Sequence, residues 1–116
     1  MSNWEENTYY GGSMPSKTEL RCKLKGNLID YDLLINEIIN DRSFNAILSL
    51  VSDGDECIRL RASYIIVNIV RKIPELANIF YPKLLKLLNS DNKGVRAAVS
   101  FVLEKFREII NQETSP

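Results

Sequence analysis

The stretch LLKLLNSDNKGVRAAVSFVLEKFREII, residues 84–110, is a second version of ILSLVSDGDECIRLRASYIIVNIVRKI, residues 47–73. The two stretches are 37 residues apart and align without a gap. They share five identical residues and nine further positions that are apolar in both. Each version has a short apolar segment, a polar turn and a longer apolar segment, which predicts a short helix, a turn and a longer helix. One such hairpin cannot bury its apolar face alone, so the duplication predicts two hairpins packed together.

The longer helix of each version predicts how the hairpins pack. In the second version the apolar residues form one stripe and polar residues form the opposite face, so this helix is expected to be covered on one side. The equivalent helix, from about Cys57 to Lys72, is apolar nearly all round and is expected to be buried between the final hairpin and a helix over residues 30–40. The predicted stripe of the last helix is Val95, Ala98, Val99, Val102, Leu103, Phe106, Ile109 and Ile110.

Capping residues mark the beginnings of the earlier helices. Ser16 and Glu19 have the spacing of a capping box, which predicts a short helix over residues 16–26 and leaves a basic strand as the alternative. Asp30 is placed to cap the helix over residues 30–40, because its carboxylate can accept a hydrogen bond from a free backbone N–H of the first turn.

Two prolines mark interruptions later in the chain. Pro74 is expected to end the long helix, since the residue before a proline avoids helical torsion angles, and to begin the next one. Pro82 predicts a kink or a break in that next helix. No segment has a convincing strand pattern, so the predicted fold is all-α: a small right-handed stack of antiparallel helical hairpins, about two units plus an N-terminal helix.

The chain is predicted to have three parts. Residues 1–15 are polar and predict a flexible N-terminal arm, residues 16–112 a single helical-repeat domain, and residues 113–116 a frayed tail. Three aromatic residues are unusual in such an arm and favour either packing against the domain or docking on a partner protein: Trp4, Tyr9 and Tyr10.

Part of the duplicated sequence resembles a known family. DNKGVRAAVSFVL, residues 91–103, resembles the turn and second helix of a HEAT repeat, DGDECIRLRAS resembles a looser copy, and IPELANIFYPKLLKLL is similar to the proline-bearing first helix of HEAT and armadillo units. The resemblance covers roughly residues 30–112. It implies a HEAT/armadillo-type fold in which Arg59 and Arg96 are structural and pair with turn aspartates, Asp91 and either Asp53 or Asp55.

Charge is distributed unevenly although the formal net charge is zero. Residues 27–57 carry seven acids and one base, a local charge of −6, whereas residues 17–26 and 58–116 carry +3 and +5. An acidic part and a basic part are therefore expected, and such a dipole steers partners more than it specifies a fold.

The composition argues against catalysis. The chain has no histidine, which removes histidine triads and most zinc sites. Cys22 and Cys57 are far apart in sequence and predict free thiols in a reducing compartment. With no glycine-rich phosphate loop, the expectation is a non-enzymatic protein without cofactor or metal, and the polar N-terminus and absence of a long apolar run predict a cytoplasmic protein that does not enter a membrane.

Binding is therefore the expected function, and the first hypothesis is a protein-interaction module that serves as a small accessory or adaptor subunit of a larger complex. Its surface would include the apolar face around Val67 and Val70 if that face is exposed. The candidate partner-binding residues are Trp4, Tyr9, Tyr10, Val67, Val70, Arg96, Lys105 and Arg107.

The alternative hypothesis is a nucleic-acid-associated auxiliary factor, such as an accessory subunit of a polymerase-like machine. It rests on the two basic segments, whereas the neutral net charge argues against tight independent binding. Convergence of the basic residues on one face would favour this alternative. The candidate nucleic-acid contacts are Lys17, Arg21, Lys23, Lys25, Lys86 and Lys93.

Overall fold

Six α-helices build the part of the chain that the computed structural model describes, which is the backbone of residues 17–114 and the side chains of residues 17–112. No strand occurs in this range, so the all-α prediction is confirmed there. Short 3₁₀ turns lie at Leu50–Ser52 and Pro74–Leu76. The helices are α1 (Lys17–Leu24), α2 (Tyr31–Asp41), α3 (Phe44–Ser49), α4 (Glu56–Lys72), α5 (Ala77–Leu87) and α6 (Lys93–Thr114).

Some predicted features lie outside the described residues. These are the N-terminal arm of residues 1–15, with Trp4, Tyr9 and Tyr10, and the capping residue Ser16. At the other end, α6 continues to Thr114.

Local sequence explains most helix boundaries. The Asp30 carboxylate accepts a hydrogen bond from the Leu33 backbone N–H at 3.1 Å and caps α2 as predicted. Arg42 ends α2 with a φ of 58°, and the peptide N–H of Ser43 returns to the Ile38 carbonyl at 3.1 Å. Hence α2 and α3 are joined by a turn of only two residues.

The two prolines behave differently from each other. Pro74 follows the end of α4 and begins a 3₁₀ turn, which confirms the predicted stop. Pro82 lies inside α5, and the helix passes through it undivided, so the alternative of a break into two pieces is wrong. The buried side chains of Phe80 and Leu84, on either side of Pro82, hold both halves of α5 on the core.

The central helix is α4, which packs against α1, α2, α3 and α6. Its burial on several sides and its position between α2 and α6 agree with its apolar sequence. Three phenylalanines extend the core from α3 through α5 to α6: the ring centroids of Phe44 and Phe80 lie 5.7 Å apart, and those of Phe80 and Phe106 lie 6.4 Å apart. Aromatic burial of this kind supplies a large share of core stability.

The predicted apolar stripe of α6 faces the core for most of its length. Its one clear exception is Ile110, whose side chain is about half exposed near the end of the helix. Leu103 is half-buried, and the buried members are Val95, Ala98, Val99, Val102, Phe106 and Ile109.

The turns that precede α4 and α6 are built alike. Asp55 caps α4 by accepting hydrogen bonds from the N–H groups of Cys57 and Ile58 at 2.8 and 3.4 Å. Asn92, which is 37 residues later, caps α6 by accepting from the N–H groups of Gly94 and Val95 at 2.8 and 3.1 Å, so the duplicated residues make equivalent bonds.

Two further bonds recur at the same spacing. The N–H of Asp55 donates to the Asp53 carboxylate at 2.9 Å, and the N–H of Asn92 donates to the Ser90 hydroxyl at 3.1 Å. Arg59 donates to the Asp53 carbonyl at 2.8 Å, and Arg96 donates to the Ser90 carbonyl at 2.6 Å. Each turn is therefore closed by a cap, by a hydrogen bond within the turn and by an arginine from its own helix.

The Ser43 hydroxyl, between α2 and α3, gives a stability prediction. Its hydroxyl is buried and finds no hydrogen-bond partner among the described residues. We expect Ser43→Ala to leave the free energy of unfolding unchanged or to raise it by up to about 1 kcal/mol, because an unpaired buried hydroxyl is removed. Urea denaturation followed by circular dichroism measures this change.

The matched control is Asp55→Ala, which removes a helix cap that does make its bonds. It should lower the free energy of unfolding by about 0.5–2 kcal/mol. A loss of that size in Ser43→Ala would contradict the description of the Ser43 hydroxyl as unpaired.

Candidate partner-binding surface

Asp53 joins three parts of the fold at the turn before α4. Its carboxylate accepts two hydrogen bonds from Arg21 of α1, from Nε at 2.7 Å and from Nη2 at 3.1 Å. Its backbone carbonyl accepts from Nη1 of Arg59 in α4 at 2.8 Å. One residue thus ties the first helix to the turn and to the central helix.

The predicted partners of the two repeat-related arginines are wrong. Arg59 and Arg96 were expected to pair with turn carboxylates, Asp91 and either Asp53 or Asp55. Each instead donates to a backbone carbonyl six residues earlier, in the turn that precedes its own helix. The Asp53 carboxylate is occupied by Arg21.

The contact between Arg21 and Asp53 shifts the pKa of both groups. Its hydrogen bonds, helped by the Asp55 N–H, hold the pKa of Asp53 below its ordinary value, although burial of the carboxylate opposes this. The same contact raises the pKa of Arg21. Both groups are therefore charged at neutral pH and lose their attraction only in acid.

The Arg59 guanidinium lies against the first turn of α6. Arg59 is only 9% exposed, and a Cβ atom built on Gly94 would lie 3.0 Å from its Cζ and still closer to its Nη2. Backbone and guanidinium can approach this closely only because residue 94 has no side chain. The beginning of α6 is therefore fixed against α4 by this contact.

A groove opens beside this contact, between the first halves of α4 and α6. Its volume is about 240 Å³, and its walls are mostly apolar. Leu60 from α4 is 58% exposed and Phe101 from α6 is 46% exposed, so both offer apolar surface to a ligand. The groove is lined by Glu56, Arg59, Leu60, Ser63, Gly94, Ala97, Ala98 and Phe101.

The exposed apolar row continues one helical turn beyond Leu60. Tyr64 is 50% exposed, and its ring meets the edge of Tyr31 with centroids 5.0 Å apart. The Phe101 ring has the Lys105 ammonium 5.6 Å from its centroid. Since Tyr64 and Phe101 are equivalent positions of the duplicated stretches, the surface combines the same position from both α4 and α6.

The structure changes the list of partner-binding candidates. Val67 and Val70 are buried, so they belong to the core and cannot face a partner; the helices around α4 cover the side on which they lie. Arg96 is engaged with the Ser90 carbonyl, whereas Lys105 lies beside the groove and within 3.5 Å of Glu108.

The other four partner-binding candidates are Arg107 and the three aromatic residues of the N-terminal arm. Arg107 is exposed, while Trp4, Tyr9 and Tyr10 lie outside the described residues. The structure therefore gives none of these four a position in the groove.

The basic candidates lie on separate helices. In α1, Arg21 is occupied by Asp53, and Lys23 lies 3.4 Å from Glu37 of α2. The remaining four are exposed, but α1 packs on α3 and α4 whereas α5 packs on α6. These four are Lys17 and Lys25 around α1, Lys86 on α5 and Lys93 on α6.

The described residues contain no group of three or more cysteine, aspartate or glutamate side chains that could hold a metal ion. Cys22 and Cys57 are both exposed free thiols, as predicted. No helix in the described range is long and apolar enough to cross a membrane.

Comparison of the chain with protein-family models, with curated proteins and with solved structures finds no match. The HEAT/armadillo resemblance therefore stays a prediction from the sequence.

The contact between Gly94 and Arg59 gives a stability prediction. Gly94→Ala should displace the guanidinium and lose its bond to the Asp53 carbonyl, a loss of about 1.5–3 kcal/mol that the better helix propensity of alanine offsets by about 1 kcal/mol. We expect a net decrease of about 0.5–2 kcal/mol in the free energy of unfolding.

Gly54→Ala is the matched control, because a Cβ at that position meets nothing within 4 Å. It should be neutral or slightly stabilising in the same urea titration. Equal effects of the two substitutions would show that Gly94 is not held against Arg59.

The pair formed by Arg21 and Asp53 predicts a pH dependence. Because the folded-state pKa of Asp53 lies below its unfolded value of about 3.9, the pair stabilises the fold above that pH and the stabilisation is lost as pH falls through the folded pKa. Arg21→Gln should therefore lower the free energy of unfolding at pH 7, and its difference from wild type should shrink below about pH 4.

Lys25→Gln removes the same charge from an exposed position just after α1 and is the control. Its difference from wild type should not change with pH in this range. Urea denaturation midpoints of the wild type and both variants at pH 7, 4 and 2.5 test this prediction. If the midpoint of Arg21→Gln lies below that of the wild type by the same amount at all three pH values, the pairing of Arg21 with Asp53 is refuted.

Proposed function

We propose that this chain is a non-catalytic protein-interaction module, a small accessory or adaptor subunit of a larger complex. A segment of the partner protein binds in the groove between α4 and α6. The observation that carries this proposal is a set of large, half-exposed apolar side chains at the groove: Leu60 and Phe101 line it, and Tyr64 lies one helical turn beyond Leu60.

Simple energetics limit how tightly the groove alone binds. Burying a whole large apolar side chain contributes about 1.5–3 kcal/mol, so covering three half-exposed ones contributes about 3 kcal/mol before the entropy of association is subtracted. A complex with a micromolar dissociation constant needs a binding free energy of about −8 kcal/mol. The partner must therefore make contacts beyond the groove, which suits one subunit held among several.

The architecture behind the groove is also part of the proposal. We infer that residues 47–73 and 84–110 are two copies of one repeat unit, stacked in the right-handed manner of HEAT and armadillo proteins. Support comes from the equivalent hydrogen bonds that the two turns make at a spacing of 37 residues. In this arrangement the second helices of successive units lie side by side and provide the binding surface.

The nucleic-acid hypothesis has weaker support. Two of the four basic residues around α1, Arg21 and Lys23, are engaged with carboxylates, and a phosphate would have to compete with those partners. No observation favours it over a protein partner. Cytoplasmic location likewise stays a prediction from the sequence.

Charge placed in the groove tests the proposal. Leu60→Glu and Phe101→Glu put a carboxylate on the apolar walls of the proposed site, at positions exposed enough to keep the fold. Tagged full-length protein is recovered from native lysate, and bound proteins are quantified by mass spectrometry. A stoichiometric partner of the wild type should fall at least tenfold with either variant.

Leu85→Glu is the matched control, since Leu85 is a comparably exposed leucine on α5, outside the groove. It should retain the partner. Recovery that is equal for all three variants would remove the groove from the function, and so would the absence of any stoichiometric partner of the wild type. Thermal unfolding of each variant verifies that the fold is retained.

A further inference from the structure

We propose, building on the proposed protein-binding function, that the groove recognises an acidic peptide segment: a carboxylate side chain close to a large apolar one. Arg59 receives the carboxylate at the end of the groove, and Leu60 and Phe101 receive the apolar side chain. The partner class is thus a protein segment with an aspartate or glutamate beside an apolar anchor.

Arg59 is a buried cation without a countercharge. Its side chain is nine-tenths buried, and its one hydrogen-bond acceptor among the described residues is the neutral Asp53 carbonyl. No carboxylate of the described residues lies within 4.0 Å of it, because the Asp53 carboxylate is taken by Arg21. A guanidinium has five N–H donors, so an incoming carboxylate still finds donors there.

The surroundings of Arg59 favour a carboxylate over other ligands. The groove beside it is mostly apolar, so a bound carboxylate would interact with the guanidinium in a partly desolvated setting, where charge-assisted hydrogen bonds are strong. Phosphate sites gather several donors, whereas this groove offers one guanidinium and an apolar wall.

Other charged groups near the groove orient the ligand. Glu56 lines the same groove and is exposed, so it disfavours a second carboxylate on its own side. Lys93 is exposed beside Gly94, and Lys105 lies over the Phe101 ring, so positive charge lies on the α6 side. The acidic residue of the ligand is therefore expected to approach along α6.

The experiment begins with selection of random 12-residue peptides displayed on phage against the immobilised full-length chain. Enriched peptides should carry Asp or Glu within two positions of Leu, Phe or Trp. Each enriched peptide is then synthesised with a fluorescein label. A matched control peptide is made in which the acidic residue is replaced by its amide, Asn for Asp or Gln for Glu. Fluorescence anisotropy gives the affinities of both peptides.

The decisive comparison combines peptide and protein variants. For the wild-type protein, the amide peptide should bind at least tenfold more weakly than the carboxylate peptide. For Arg59→Leu, the two peptides should differ less than twofold, because the carboxylate then has no guanidinium to contact. Arg59→Lys, which keeps the charge but loses the fork geometry, should give an intermediate loss and serves if Arg59→Leu does not fold.

The outcomes separate this inference from the proposed function. Selected peptides whose affinity depends on Leu60 but not on a carboxylate would overturn the inference and leave the proposed function of the groove intact. Equal carboxylate effects in wild type and Arg59→Leu overturn it as well, and the absence of any Leu60-dependent peptide counts against both. The chain itself contains this chemistry at Trp4-Glu5-Glu6, so tighter peptide binding to Glu5→Gln/Glu6→Gln would support the inference and identify that segment as a competitor.

Discussion

The contact between the Arg59 guanidinium and Gly94 fixes where α6 begins against α4. The guanidinium is held from one side by the Asp53 carbonyl at 2.8 Å and leaves no room for a Cβ atom on the other. Asp53 is itself held by Arg21, so α1, the turn, α4 and α6 meet at one polar contact. The groove begins beside this contact, and both Arg59 and Gly94 line it.

This polar contact and the apolar core have different roles. Burial of side chains such as Phe44, Phe80 and Phe106 supplies most of the stabilisation, but apolar packing is nondirectional and tolerates sliding of one helix along another. Burying a charged arginine with only a neutral acceptor costs desolvation, which offsets much of what its hydrogen bond contributes. Breaking that bond while the charge stays buried is therefore costly, whereas replacing the whole side chain by an apolar one costs less. We infer that the arginine instead specifies how the helices align, and its charge beside the groove is what the proposed acidic ligand would use.

The sequence predicted the helices and the buried centre because both depend on periodicity and on local caps such as Asp30. The prediction that Val67 and Val70 face a partner was wrong, because both side chains are buried. On a helix that is apolar nearly all round, periodicity does not indicate which sides the neighbouring helices cover. The same limit hid the exposure of Tyr64, whereas Phe101 lies outside the predicted buried stripe of the last helix and is exposed accordingly. Nothing local could indicate that Arg59 lies against Gly94, because that contact joins residues far apart in the chain.

The most direct measurement is a double-mutant cycle of Gly94→Ala and Arg59→Leu, with the free energy of unfolding of all four proteins determined in urea. If the guanidinium holds α6 against α4, alanine at position 94 should lower stability by about 0.5–2 kcal/mol when Arg59 is present. In the Arg59→Leu background, it should be neutral or stabilise by about 0.5–1 kcal/mol. An equal loss in both backgrounds would contradict the account, because it would show that Gly94 is required for a reason other than Arg59.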